Sequence, residues 1–179
     1  MVLKKIIYNL AKRMIFVFKV TPWLMPIYRW GMLCLLKWMG IKIIGKPRYI
    51  SNDCYFDGVD YSLITICDEA VISKEVVILT HDYSITRVFK SFGEKLKTDV
   101  RIVKPVFIGK NSFIGYRSIL MPGAYIGENV IVGAGSVVRG RIPKNSIAFG
   151  NPAKVLNNTK EVYKKYIEDY KNNKLQVDR

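Results

Sequence analysis

Counted from Ile102 in steps of six, the chain places Ile102, Ile108, Ile114, Leu120, Ile126, Val132 and Val138, every one a branched aliphatic residue. Four residues after each stand Val106, Ser112, Ser118, Ala124, Val130, Ser136 and Ile142, all small or β-branched. Glycine directly follows the aliphatic residue at positions 109, 115, 127 and 133. Upstream, Ile66, Ile72 and Ile78 keep the same phase with Ala70 and Val76 as their small partners. A weaker run, Ile44, Ile50 and Phe56, precedes them, displaced by a four-residue insertion. Separate rules obeyed together over successive periods mark an internal repeat, which constrains the fold before local propensity does.

A period of six is neither the 3.6 of a helix nor the two of a half-exposed strand. It suits short flat strands joined by tight corners, three hexads to each triangular coil. The in-phase aliphatic residues then enter the axis, the small residues sit near corners, and glycine tolerates close approach or positive φ. Successive coils stack at the spacing of paired strands, about 4.8 Å. The expectation is an all-β parallel solenoid over residues 43–157, interrupted where "DYSITRVFKSFGEKLKTDVR" leaves the repeat as an extruded loop over about 82–101. Such a column needs covered ends. Helices are expected over roughly 3–20 and 27–39, within an N-terminal segment 1–42. The tail, 158–179, carries Val162, Tyr163, Tyr166, Ile167 and Tyr170 at helical spacing and can lie along a side.

The charge is concentrated at the front. The formal net charge is +15, yet the first acidic residue is Asp53, and ten Lys or Arg stand before it. All three tryptophans (Trp23, Trp30, Trp38) lie in the same region. Its longest uncharged stretch, Val20 to Tyr28, is far short of the roughly 18 residues that span a bilayer and holds Pro22 and Pro26. Lysines interrupt the apolar part and no small-residue cleavage site follows, so a signal peptide does not fit. Two amphipathic helices with Trp and basic residues describe an interfacial anchor, so peripheral membrane contact through residues 1–40 is one reading. Capping of the solenoid is the other, and the two are compatible. The density of large apolar residues argues against nucleic acid as the partner. Cys34, Cys54 and Cys67 form no CxxC pair, which suits buried thiols in a reducing compartment. His81 is the only histidine, which removes most zinc chemistry and leads to the expectation of no metal.

The hexads, with "IGKNSFIGYRSILMPGAYIGENVIVGAGSVV" and "IAFGNPAKVL", resemble the hexapeptide-repeat acyltransferases. The resemblance covers residues 44 to 157 and is strongest to the branch of maltose and galactoside O-acetyltransferases and of capsule and O-antigen O-acetyltransferases. It implies a left-handed parallel β-helix, although the general rule for parallel crossovers favours the right hand. It also implies a homotrimer with acetyl-CoA as co-substrate in the groove between neighbouring columns. In that family a histidine at the start of the extruded loop acts as base, and the resemblance gives that place to His81 in "LTHDYS". The chemistry agrees: a sugar hydroxyl is too weak an acid to attack a thioester unaided, and an imidazole with pKa near about 6.5 suits its proton.

Asp57 and Asp60 in "YFDGVDYS" fall roughly one coil before His81, so either can orient the base or contact the acceptor, or both serve as turn residues. Asp82 can do the same or bond its own turn. By resemblance, the Ala134 main chain meets the pantetheine, Tyr116 lines the same groove, and Lys154 of "GNPAK" stands near the coenzyme's phosphates. The family's usual Thr-Lys after "SVV" is Arg139-Gly140-Arg141 here, so either arginine takes the phosphate contact or both are solvated surface charge. A γ-type carbonic anhydrase needs three histidines, and a sugar nucleotidyltransferase needs a preceding nucleotide domain; neither fits. An N-acetyltransferase for a nucleotide-linked amino sugar, a xenobiotic acetyltransferase and a non-catalytic scaffold remain alternatives. The leading expectation is an O-acetyltransferase of a surface-polysaccharide sugar, cytoplasmic and peripheral on the inner face of the membrane, with a saccharide acceptor, lipid-linked or nucleotide-linked.

Overall fold

The computed structural model describes residues 2–19, 22–58 and 60–176. Two helices open the chain, α1 (Val2–Phe16) and α2 (Met25–Met39), each extended at its loop end by a 3-10 turn (Val17–Lys19 and Pro22–Leu24). Residue 20 of the expected first helix and residues 177–179 of the tail lie outside the described residues. Pro26 falls inside the first turn of α2, where its missing N–H has no intrahelical partner to lose. Gly40 ends α2 at φ 112°, donating its N–H to Leu36 and Lys37 carbonyls.

Strands then come in threes. β1 (Lys42–Ile43), β2 (Tyr49–Ile50) and β3 (Tyr55–Phe56) are followed by β4 (Ile64–Ile66), β5 (Val71–Ile72) and β6 (Val77–Ile78). A short ladder of β7 (His81–Asp82) with β8 (Ile102–Val103), antiparallel, closes the neck of a loop that contains α3 (Ser84–Ser91). The threes resume with β9 (Val106–Ile108), β10 (Phe113–Ile114) and β11 (Ile119–Leu120), then β12 (Tyr125–Ile126), β13 (Ile131–Val132) and β14 (Val137–Val138). β15 (Arg141–Ile142), β16 (Ser146–Gly150), β17 (Ala153–Asn158) and α4 (Thr159–Lys171) finish the fold.

Pairing sorts these strands into three faces: β1-β4-β9-β12-β15, β2-β5-β10-β13-β16 with β17 added, and β3-β6-β11-β14. All contacts within the faces are parallel except β16 with β17. The chain therefore visits three sheets in rotation. Partners stand 18 residues apart in the regular part, Phe107 with Tyr125, Phe113 with Ile131 and Ile119 with Val137. At the start Tyr49 pairs with Val71, 22 residues on, so the four-residue insertion is real; it occupies the stretch between Phe56 and Ile64.

The axis holds Ile66, Ile72, Ile78, Ile108, Ile114, Leu120, Ile126, Val132 and Val138, each with no exposed surface. Burial of such a side chain contributes about 1.5–3 kcal/mol. Three residues depart from the counted pattern. Ile102 pairs with Asp82 in the loop neck and is more than one-third exposed. Ile44 is exposed, and Ile43 is the residue that stacks on Ile66. Ile142 is itself axial, because Tyr125 pairs with Arg141 and Ile126 with Ile142, a circuit of 16 residues.

Glycine's part in the corners is close approach. A Cβ on Gly109 would lie 2.5 Å from the Gly127 carbonyl oxygen, and one on Gly115 would lie 2.5 Å from the Ala134 nitrogen. The positive φ comes two residues later, at Asn111, Arg117, Asn129 and Gly135. Asn111, Asn129 and Asn145 form a ladder along one corner, their side-chain amides joined at 2.9 and 2.8 Å. Beneath the corners, Ser112 Oγ lies 2.6 and 3.0 Å from the carbonyl oxygens of Gly109 and Gly127, which share its one proton and satisfy a buried hydroxyl.

α2 covers the first circuit with Tyr28, Met32, Leu36 and Met39, and the Tyr28 hydroxyl donates to the Ile50 carbonyl at 3.0 Å. α4 is capped by Asn158, whose side chain accepts from the Glu161 N–H. It buries none of its residues, so Tyr163, Tyr166 and Tyr170 stay exposed.

Candidate active site

His81 stands where the chain leaves the third face. β6 ends at Ile78, Thr80 is fully buried at the corner, and the His81–Asp82 ladder starts the loop. One circuit below, Phe56 pairs with Ile78, and the Asp57 N–H donates to the Ile78 carbonyl at 2.9 Å. That register puts the Asp57 carboxylate under Thr80 and His81.

Asp57 is 2 % exposed, and its Oδ2 accepts from the Thr80 N–H (2.9 Å), the Thr80 hydroxyl (3.1 Å) and the His81 N–H (3.1 Å). The same oxygen is the hydrogen-bond partner of His81 Nδ1. These hydrogen bonds hold the buried carboxylate in one orientation. With Nδ1 committed to that oxygen, Nε2 is the ring nitrogen left for another partner. The His81 side chain is 22 % exposed. Tyr83 meets the imidazole edge-on, 5.3 Å between ring centres, and its hydroxyl accepts from Arg101 at 3.3 Å. The arrangement is an imidazole on a buried carboxylate that Thr80 holds from its backbone and its hydroxyl.

The other carboxylates are elsewhere in chemistry if not in sequence. Asp60 caps a 3-10 turn (Tyr61–Leu63), accepting from the Ser62 N–H at 2.9 Å, and hydrogen bonding to Ser62 lowers its pKa. The structure does not bring it to His81. Asp82 accepts from the Ser84 N–H at 2.8 Å, which is the main reason its pKa is lowered; the Arg139 charge adds to the effect. Arg139, exposed just beyond β14, therefore shares the His81 end of the third face.

The opposite edge of that face gathers Tyr116, Ala134 and the "GNPAK" hairpin. Tyr116 precedes β11, and its carbonyl accepts from the Gly135 N–H at 2.7 Å, which sets the exposed Ala134 beside it. Its hydroxyl donates to Glu75 Oε1 at 2.9 Å, while Arg117 Nε donates to Glu75 Oε2 at 2.6 Å. The Arg117 bond foremost, then that from Tyr116, holds the Glu75 carboxyl below its usual range. The Gly150 N–H reaches Ser136 Oγ at 3.2 Å, so the turn before Lys154 lies over this corner, and Lys154 is exposed opposite Phe149. Arg141 is separate from both groups: its guanidinium lies 4.1 Å from the Tyr125 ring centre, on the Phe107–Tyr125 stack of the first face.

A profile of the bacterial transferase hexapeptide (six repeats) matches residues 105–140, where the regular circuits lie. Over these residues the column is similar to that family. Galactoside O-acetyltransferase of Escherichia coli (strain K12) is 32% identical over 114 residues, 63% of this chain and 53% of that protein. Among solved structures, a maltose O-acetyltransferase from Clostridium difficile 630 superposes with a TM-score of 0.57 at 27% identity, covering 87% of this chain and 88% of that one. A galactoside acetyltransferase in complex with coenzyme A shares the fold, at a TM-score of 0.58 and 23% identity over 88% of this chain and 83% of that one. The chain spans about half the length of the curated relatives it matches, 53% of the galactoside enzyme.

Reading the hexapeptide repeat alone missed Thr80, Glu75 and Arg117. Thr80 carries a signal, being the small β-branched residue between the last axial position and the base. Glu75 and Arg117 are 42 residues apart, and only stacking across the loop joins them.

Proposed function

We propose that this chain is an acetyl-CoA-dependent O-acetyltransferase acting on a sugar hydroxyl, with His81 as general base and Asp57 as its orienting partner. The observation that carries the reading is the Asp57–His81 pair, clamped by Thr80 at the point where the loop leaves the column. His81 Nε2 takes the proton of the incoming hydroxyl as its oxygen bonds to the thioester carbonyl carbon. The resulting imidazolium is stabilised by the buried Asp57 carboxylate. When the carbon–sulfur bond breaks, Nε2–H returns the proton to the departing sulfur, so charge and protons balance.

Tyr116, Ala134 and Lys154 stand along one edge of the third face and His81 along the other. A homotrimer of left-handed columns, as the resemblance implies, sets the first edge of one protomer against the second edge of its neighbour and so assembles coenzyme and base. Lys154 and Arg139 then supply cations for the coenzyme's phosphates. Arg141 is engaged by the Tyr125 ring. The acceptor belongs to a surface polysaccharide made at the cytoplasmic face of the membrane.

Thiol release from acetyl-CoA is to be followed in the presence of glycan oligosaccharides, with mass analysis of the product. His81→Asn should lower kcat by about 10²–10⁴-fold with the fold retained, the usual contribution of a general base. Undiminished turnover in His81→Asn would refute the proposal.

A further inference from the structure

The transfer chemistry makes no use of the surface that α1 and α2 leave uncovered. Leu3, Ile6, Leu10 and Met14 follow at helical spacing along α1, and all are exposed. Trp23 is 80% exposed and Trp30 69%. Between the helices runs an apolar groove of about 390 Å³, lined by Ile15, Phe18, Ile27, Trp30, Cys34 and Trp38. An apolar patch of this extent marks an interaction surface.

Charge selects the occupant. The same helices carry Lys4, Lys5, Lys12, Arg13, Arg29 and Lys37, and no acidic residue precedes Asp53. A second copy of this chain docking here would bring these cations together. An acidic surface with an apolar layer beneath it satisfies both features at once. Among the described residues no helix is long and apolar enough to cross a membrane, so the contact is with its surface.

We infer that the α1–α2 face is an interfacial docking site for an anionic lipid bilayer, with Trp23 and Trp30 at headgroup level. The site deepens the function proposed above, and in one respect rests on it. α1 seats on the loop that begins at Asp57: a Cβ on Gly58 would lie 3.0 Å from Lys5 Nζ and 3.2 Å from the Tyr61 hydroxyl. Tyr8 of α1 is buried in the same region. The lipid-facing helix thus adjoins the residue that orients His81, and the acceptor it suits is a saccharide carried on a lipid.

The full chain is to be sedimented with vesicles of mixed phosphatidylglycerol and phosphatidylcholine, and with phosphatidylcholine alone. Binding should require the anionic lipid and weaken with salt. Lys4→Gln, Arg13→Gln and Lys37→Gln should each lower partition about fivefold. Trp23→Ser with Trp30→Ser should lower it at least about tenfold, with acetyl transfer to a soluble acceptor unchanged and transfer to a lipid-linked acceptor reduced. Equal binding to both vesicle types, no response to the tryptophan pair, or a change of oligomeric state in its place would overturn the inference. Vesicle binding without acetyl transfer would leave the docking site standing and refute the chemistry.

Discussion

Asp57→Asn tests the catalytic geometry most directly, because the structure states which atom of the replacement goes where. Three donors besides the imidazole converge on Oδ2: the Thr80 N–H, the Thr80 hydroxyl and the His81 N–H. An asparagine here must place its amide oxygen among them and turn its NH2 away. Nδ1–H of His81 then still finds an acceptor, so the tautomer survives and only the charge is lost. Hydrogen bonds to charged groups contribute about 1.5–3 kcal/mol and neutral ones about 1. The developing imidazolium therefore loses about 1–2 kcal/mol, or about 5–30-fold in kcat. Stability should change by less than about 1 kcal/mol, since the three clamp bonds persist and a buried charge is removed. Asp57→Ala, by contrast, strands those donors and should destabilise by about 3 kcal/mol or more. The assay is steady-state acetyl transfer with thermal melts, in single variants and combined with His81→Asn. In the His81→Asn background Asp57→Asn should cost almost nothing further, because a carboxylate that acts through the imidazole has nothing left to act on. Full activity in Asp57→Asn, or losses that multiply in the double variant, would refute the reasoning.

Two further outcomes follow from the packing. Gly115→Ala would set a methyl 2.5 Å from the Ala134 nitrogen and 2.8 Å from the Val132 oxygen; it should cost about 1–3 kcal/mol and raise KM for acetyl-CoA. Gly109→Ala, equally crowded against Gly127, should destabilise without that KM change, as measured by urea melts and saturation curves. At pH 8 one thiol, the exposed Cys34, should react rapidly with a disulfide reagent. Burial pushes Cys54 up to about 12 and raises Cys67 as well, so both should react only on unfolding; three fast thiols would contradict the burial.

Much of the column was legible because its pattern is local. Each circuit repeats the same steric demand, an aliphatic residue on the axis and a small one below the corner, so Ile108 to Val138 could be placed by counting. Counting failed where strands of the right type pair with something else. Ile102 keeps the spacing but belongs to the loop neck, and Ile142 became axial because the last circuit is shorter. Glycine's role was half legible: the close approach was foreseen, but the left-handed residues fall two positions later. The N-terminal helices were read as a cap or a membrane contact, and α2 does cap the first circuit while its outer face and that of α1 remain uncovered.

From its residues alone the chain determined a repeating column and a lone imidazole at the point where the repeat breaks. Both are consequences of spacing along one strand of covalent chain. Which carboxylate meets that imidazole, and that Glu75, Tyr116 and Arg117 share a corner, was decided only by the stacking of circuits. The four-residue insertion after Phe56 shifts Asp57 and Asp60 relative to His81 by an amount that depends on the path of the loop. That path is set by packing against α1 and by the Asp60 cap, contacts between distant parts of the chain that no period in the sequence encodes.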